Sequence, residues 1–407
     1  QKKISCPYYL LKEMRKDRRK KIWRRKFTIP ERHISGTVAL AAAGSDICAL
    51  GTKALIVTGQ SMIKQGFMKV LTDILEQNRV SYVIDSKISG EPTDVMIEEG
   101  LLLYQENACD FIIGFGGGSP LDSAKAIGAM VTNPGKISDY NGKVIQNPIP
   151  PLAAIPSTAG TGSEVTQFTI ISDTKNQIKM LLKGSVLLPD IAVVDPQFTM
   201  STPKSVTAAT GLDALTHAVE AYTSKKATAQ TDLYAVSAVK KIFTYLPRVY
   251  ADGSDKEARE AMSAAAYEAG ICINNSSVTI VHGMSRPIGA LFHVPHGLSN
   301  AMLLKDCLEF AADGTYERFA ALGRAVGRAE SSDSDETAAK KFIEALGEIC
   351  KICEVPTLAE YGVDREEFFK VIGKMAQDAY DSGSPGNTRK AVTIEDMEMI
   401  YRKLWEK

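Results

Sequence analysis

The stretch Asp110-Phe-Ile-Ile-Gly-Phe115 runs without a break into Gly116-Gly-Gly-Ser-Pro-Leu-Asp-Ser-Ala-Lys-Ala-Ile-Gly128. Its first six residues are a short apolar run, the pattern of a strand buried on both faces of a parallel sheet. Three glycines then allow a tight turn and a close approach of backbone to a ligand. Beyond them Ser119 is expected to cap a helix, Pro120 to sit in its first turn, and Asp122 to return a hydrogen bond to the cap. Such a turn aims backbone N–H groups and the positive end of a helix dipole at an anion. After a strand of an open α/β sheet, the expected anion is a nucleotide pyrophosphate. The glycines match neither the G-x-G-x-x-G fingerprint nor a P-loop.

The surrounding segments repeat the same alternation. Lys53-Ala-Leu-Ile-Val-Thr-Gly59 reads as a buried strand ending in a turn, residues 61–79 as a helix, 81–85 as a strand and 93–107 as a helix. Further strand-like runs lie at 152–155, 167–171 and 191–195, with a hydroxyl-rich loop, 156–163, between the first two. After Pro203 the strands stop and the pattern is helical over 211–222, 231–245, 256–271, 298–312, 316–326 and 335–353. The expected fold is an α/β N-terminal dinucleotide-binding domain with a Rossmann-like parallel sheet, followed by an all-α C-terminal domain. Its expected parts are a basic extension over 1–26, the α/β domain over 27–202 and a helical, metal-binding domain over 203–407.

The chain has 407 residues, 44% hydrophobic and 24% charged, an ordinary globular composition long enough for two cores. No apolar run approaches a membrane span. Seven scattered cysteines argue for a reducing, cytoplasmic setting, and Cys350-Lys-Ile-Cys353 reads as helix packing. The net charge of zero hides an asymmetry. Residues 1–26 hold twelve of the 48 Lys/Arg but two of the 48 Asp/Glu, leaving a body with 36 basic and 46 acidic residues. An acidic body argues against nucleic acid as a partner. The basic head reads either as a solvated extension or as a docking helix for an anionic surface, a partner enzyme or a shell.

Four of the five histidines fall in two short segments, Gly211-Leu-Asp-Ala-Leu-Thr-His-Ala-Val-Glu220 and Val281-His-Gly-Met-Ser-Arg-Pro-Ile-Gly-Ala-Leu-Phe-His-Val-Pro-His-Gly297. Asp213 and His217 are four apart, so one helix face can present both to a single ion. The second segment offers up to three more imidazoles, His282, His293 and His296. Asp/His ligation without Cys suits Fe(II) or Zn(II) better than Mg or Ca.

Together, in this order, the turn at 116–122, Pro156-Ser-Thr-Ala-Gly-Thr-Gly-Ser-Glu164 and the two His segments resemble the iron-containing, group III alcohol dehydrogenases. The resemblance runs from about Phe27 to the C-terminus. It implies a cytoplasmic oxidoreductase that moves hydride between NAD(P)(H) and a small alcohol or aldehyde, with Fe(II) as Lewis acid and zinc as the alternative. By position it implies Asp213, His217, His282 and His296 as metal ligands. It also implies that Gly117, Gly118, Ser119, Asp122, Thr158, Thr161 and Lys179 contact the cofactor, and that the protein is a homodimer or larger homo-oligomer.

Two positions depart from the family pattern. Four residues after His282, where many members carry a second His, stands Arg286, which keeps its proton and cannot serve as a base. The proton is then expected to leave by His293, a ribose hydroxyl or water. At the end of the first strand, Gly59 stands where NAD-preferring members tend to have Asp, and this favours NADP(H) slightly over NAD(H). Other readings stay open: a zinc-dependent polyol dehydrogenase of the glycerol type, a chain with a decayed site kept for binding, and an active enzyme recruited to a bacterial microcompartment through residues 1–26.

Overall fold

The computed structural model describes residues 26–406 apart from Gln177. Eight strands, all within the first half of the chain, are β1 (Arg32–Ser35), β2 (Lys53–Thr58), β3 (Ser81–Asp85), β4 (Phe111–Gly116), β5 (Leu152–Pro156), β6 (Phe168–Asp173), β7 (Ile178–Lys183) and β8 (Ile191–Val194). Six of them form one parallel sheet in the order β1-β8-β5-β4-β2-β3. Helices α1 (Phe67–Gln77), α2 (Asp94–Glu106) and α3 (Gly118–Thr132) connect β2 to β5. Strands β2, β4 and β5 are buried almost along their whole length, which explains why they read as continuous apolar runs.

Two features escape the sequence reading. Strand β1 is four residues long and mostly exposed, so it carries no apolar pattern. Strands β6 and β7 pair antiparallel as a separate hairpin, and β7 lies where no strand is expected.

Chain order reverses between β2 and β4: β3 lies outside β2 on one side, β5 outside β4 on the other. The turns after β2 and β4 therefore flank the crevice where open α/β sheets bind ligands.

After residue 203 every described element is helical, the longer ones being α4 (Lys204–Thr223), α5 (Ala229–Ala251), α6 (Lys256–Asn275), α7 (Ile280–Phe292), α8 (His296–Ala311), α9 (Tyr316–Ala325), α10 (Asp335–Ile352), α11 (Arg365–Asp381) and α12 (Ile394–Lys403). They share one apolar core, to which Leu212, Leu215, Ile242, Leu303, Phe342, Phe368 and Tyr401 contribute fully buried side chains. Cys353 packs into that core, where burial pushes its thiol up to about 12. Helix α7, which carries His282, was not expected from the sequence. Pro287 lies inside it and hides the helical pattern.

The helical half is joined to the sheet through α6. Val165, Tyr267 and Ile271 pack against Ala192 and Val194 of β8, and Asn274 accepts from the Gln167 N–H at 2.9 Å. Gly162 (φ 61°) meets Gly270 of α6 so closely that a Cβ on Gly162 would lie 2.6 Å from the Gly270 Cα. Beside this joint lies a buried group of charges. Lys125 donates to the carbonyls of Thr166 and Phe168 at 2.8 and 2.9 Å, while burial pushes the Glu164 carboxyl up to about 7.

Two outcomes follow for stability. Gly162→Ala adds both a strained φ and a backbone clash, and should cost about 2–3 kcal/mol in denaturant melts. Glu164 keeps a proton in the folded chain that the unfolded chain releases above pH 4.5, so its burial lowers stability as pH rises from 4.5 to about 7. Glu164→Gln should therefore match the parent protein near pH 4.5 and exceed it above pH 7, and an unchanged pH slope would refute this.

Candidate active site and metal centre

Helix α3 begins at Gly118, two residues before the start expected from a Ser119 cap. Gly117 is the extended cap residue and no side chain caps it, so Ser119 lies inside the first turn and Asp122 returns no bond to it. This corrects the capping expectation. A glycine needs no side-chain partner to start the helix, and the N–H groups of the first turn stay free of side-chain acceptors. Gly116 (φ 148°) requires glycine, since a Cβ would press to 2.9 Å on Pro120. Asp122 turns away instead: one oxygen accepts from Ser163 Oγ at 2.5 Å and the other from the Ile170 N–H at 2.9 Å. It ties α3 to the hydroxyl-rich loop and to β6.

That loop closes over the turn. A Cβ on Gly117 would lie 3.7 Å from Thr158 Cγ2, and one on Gly118 would clash with Thr161 Cγ2 at 2.8 Å. Thr158 and Thr161 thus back the two glycines, and Thr161 also faces the cavity. Lys179, on β7, reaches the same cavity with its ammonium 2.5 Å from Glu91 Oε1. Gly59 caps the turn after β2, and a side chain there would come within 3.2 Å of the Ile88 carbonyl.

Across the cavity, α4 presents Asp213 and His217 one turn apart, α7 presents His282, and His296 opens α8. Around Asp213 Oδ1 the Nε2 atoms of His282, His217 and His296 stand at 3.5, 3.8 and 3.9 Å. The first three residues are buried, whereas the His296 side chain is 30% exposed toward the cavity. Glu220, one turn beyond His217, accepts from Thr279 Oγ1, from the Val281 N–H and from His282 Nδ1, the last at 2.5 Å. With its Nδ1 proton held there, His282 turns the Nε2 lone pair toward Asp213. Asn300, one turn after His296, directs Nδ2 at Asp213 Oδ1 (2.8 Å) and at the Nε2 atoms of His282 and His296 (3.1 and 3.3 Å).

The electrostatics fit a cation. Burial lowers His217 to about 4 and His296 to about 3, so both are neutral acceptors near pH 7. Burial raises the Asp213 carboxyl, but the three imidazoles outweigh this and hold it well below the usual carboxylate range. Burial opposes the charged form of His282, yet the Glu220 carboxylate raises it overall. Asp213, His217 and His282 each offer a ligand atom within 4.8 Å of the others, and His296 Nε2 stands 3.9 Å from Asp213 Oδ1, a donor set that fits Fe(II) or Zn(II).

His293, expected as a relay, is not brought to this site. Helix α7 ends at Phe292, and His293 turns the chain with a left-handed backbone (φ 54°), leaving its side chain exposed and outside the cavity lining. Sequence reasoning assigned no role to Glu220 or Asn300, although their helical spacing from His217 and His296 was available. The stretch 381–389 reads from sequence as a polar loop without a role, and it brings Ser382, Ser384 and Asn387 to the cavity wall.

The cavity, of about 560 Å³, is lined from one side by Gly118, Ser119 and Thr161 and from the other by Asp213, His217, His282 and His296. A crevice at a topological switch point facing a buried Asp/His centre defines a class of α/β enzyme that works at the seam of two halves. Comparison with known proteins sharpens this. Residues 30–196 match the family model described as iron-containing alcohol dehydrogenase, and residues 207–405 match its C-terminal counterpart. The chain is 35% identical over 379 residues to the NAD-dependent methanol dehydrogenase of Bacillus methanolicus, covering 92% of this chain and 98% of that one. It is 36% identical over 364 residues to the choline dehydrogenase of Bacillus subtilis, covering 88% and 90%. A crystal structure of 1,3-propanediol oxidoreductase superposes with a TM-score of 0.90 at 32% identity, covering 94% of this chain and 100% of that one.

The chain belongs to the iron-containing alcohol dehydrogenase family. It is an oxidoreductase of alcohols and aldehydes, and none of its described helices is long and apolar enough to cross a membrane. Because Glu220 orients His282, Glu220→Gln should weaken divalent-metal affinity about tenfold to hundredfold in chelator competition while leaving the four donors in place.

Proposed function

We propose that the cavity carries reversible hydride transfer between a nicotinamide dinucleotide and a short alcohol–aldehyde pair, around one divalent ion held by Asp213, His217, His282 and His296. The observation that carries this reading is the convergence of three Nε2 atoms on Asp213 Oδ1 at 3.5–3.9 Å. Fe(II) is the favoured ion and Zn(II) the alternative. When bound there, such an ion supplies Lewis-acid polarisation of the substrate oxygen. The dinucleotide supplies or accepts the hydride.

The chain's own residues do the rest. Asp213 gives the centre its one negative charge, and Glu220 fixes the tautomer and orientation of His282. Gly117, Gly118 and Ser119 offer uncapped N–H groups to the pyrophosphate, with Thr158 and Thr161 closing over it. Asp122 acts as a positioning residue for that loop, and Lys179 borders the cofactor's side of the cavity. Arg286 cannot take up a proton and His293 lies outside, so the proton of the alcohol leaves through a ribose hydroxyl or water in the cavity.

Gly59 places no carboxylate at the end of β2, which favours acceptance of a 2′-phosphate and hence NADP(H) slightly over NAD(H). A division into α/β (27–202) and helical (203–407) domains, a homo-oligomeric state and a cytoplasmic setting complete the reading. The docking role expected of the head, at a microcompartment shell or a partner enzyme, falls on residues 1–25, outside those described.

The test is steady-state propanal reduction by Fe(II)-loaded protein prepared without oxygen, with NADPH and NADH in parallel. Turnover that chelation abolishes, and that disappears with bound metal in His217→Ala, is the expected outcome. Activity retained in a metal-free variant would sink the scheme, and a strong preference for NADH would overturn the reading of Gly59.

A further inference from the structure

Arg286 leaves α7 one turn after His282 and on the same face, so its guanidinium enters the cavity beside the metal centre. Its partners are few. Nη1 donates to Ser384 Oγ at 3.0 Å, while Nε is buried without a partner. Among the described residues no carboxylate lies within ion-pair distance of it. Glu220 is the acid with most influence on it, but both Glu220 oxygens are already engaged by Thr279, Val281 and His282. Asp213 is turned to the imidazoles.

A guanidinium keeps its charge even where burial disfavours it. An enclosed cation without a counter-charge is costly, more so beside a centre that holds a second cation. Nε is enclosed, so the donors left to the cavity are Nη2 and the Ser384 hydroxyl, which together can hold a carboxylate, sulfonate or phosphate from two sides. Ser384, 6% exposed, accepts from Nη1 and so keeps its own hydroxyl hydrogen to donate. The turn Gly117–Ser119 lies on the sheet half of the cavity, whereas Arg286 and Ser384 lie on the helical half, with Arg286 one helical turn from His282.

We propose that Arg286 and Ser384 form a specificity-determining subsite for an oxyanion on the substrate, so that the enzyme acts on short aldehydes and alcohols carrying a carboxylate, sulfonate or phosphate group near the reacting carbon. This rests on the hydride-transfer reading above.

The experiment uses the Fe(II)-loaded full chain. Its kcat/KM is measured for succinic semialdehyde, sulfoacetaldehyde and glycolaldehyde phosphate, with butanal as the neutral reference, in the parent protein, Arg286→Gln and Arg286→Lys. Binding of propane sulfonate, butyrate and propyl phosphate is followed by calorimetry on the same proteins. At least one anionic aldehyde should exceed butanal about tenfold to hundredfold, the range of a charge-assisted pair. Arg286→Gln should remove that ratio mainly through KM, Arg286→Lys should keep part of it, and the matching anion should lose affinity in parallel. The arm that responds identifies the acid group.

Equal losses on butanal and the anionic aldehydes, or no preference in the parent protein, overturn the subsite and leave the oxidoreductase reading standing. A matching loss of cofactor affinity assigns the guanidinium to the cofactor's phosphates and also overturns it. If no aldehyde is turned over yet an anion still binds the parent and not the Gln variant, the hydride-transfer reading fails and the oxyanion site stands. Absence of both turnover and anion binding overturns both.

Discussion

A carboxylate removed from water needs either donors or positive charge around it, and three imidazoles and the Asn300 amide answer that need at Asp213. Three helices of the helical half carry this ring of groups. Helix α4 carries two donors, α7 a third and α8 a fourth, and their spacing depends on how closely these helices approach. Gly297 marks one close approach: a Cβ there would lie 2.4 Å from the Ala209 carbonyl of α4. Glu220 then spends three acceptor bonds on holding the start of α7, so one buried acid fixes both a helix end and the tautomer of a donor.

The sheet half solves a different problem, that of presenting backbone rather than side chains. The reversal of strand order opens a crevice between β2 and β4, and α3 starts at its edge without a side-chain cap. Thr158 and Thr161 back the glycines, while Asp122 spends both oxygens on the loop that carries them and on the hairpin beyond. Two chemically unlike walls thus face each other, one of free N–H groups and one of nitrogen and oxygen acceptors, with a two-part substrate's room between them.

Much of this was written plainly in the chain. Continuous apolar runs marked β2, β4 and β5 because both faces of those strands are covered, and the helical pattern over 211–222 marked the larger part of the helix that runs over 204–223. Other parts had no local sign. Strand β1 is short and exposed, and α7 hides behind an internal proline. The choice among His282, His293 and His296 turned on where a helix stops: His293 sits at the left-handed residue that ends α7 and is carried outward, while His296 begins the next helix and faces in. That choice came from resemblance, not from spacing. Glu220 and Asn300 were legible but unread, each one helical turn from a donor. Ser384 was not, because it reaches the cavity from a loop almost a hundred residues away from Arg286 in sequence.

The near-contact of Gly162 with Gly270 has a mechanical side. Two packed layers of side chains can slip over one another by exchanging rotamers, whereas two backbones in direct touch have nothing to exchange. Sheet and helices are pinned at that point. A side chain at either glycine would force the two halves apart, so the closeness of sheet and helices at this joint depends on both positions lacking a Cβ.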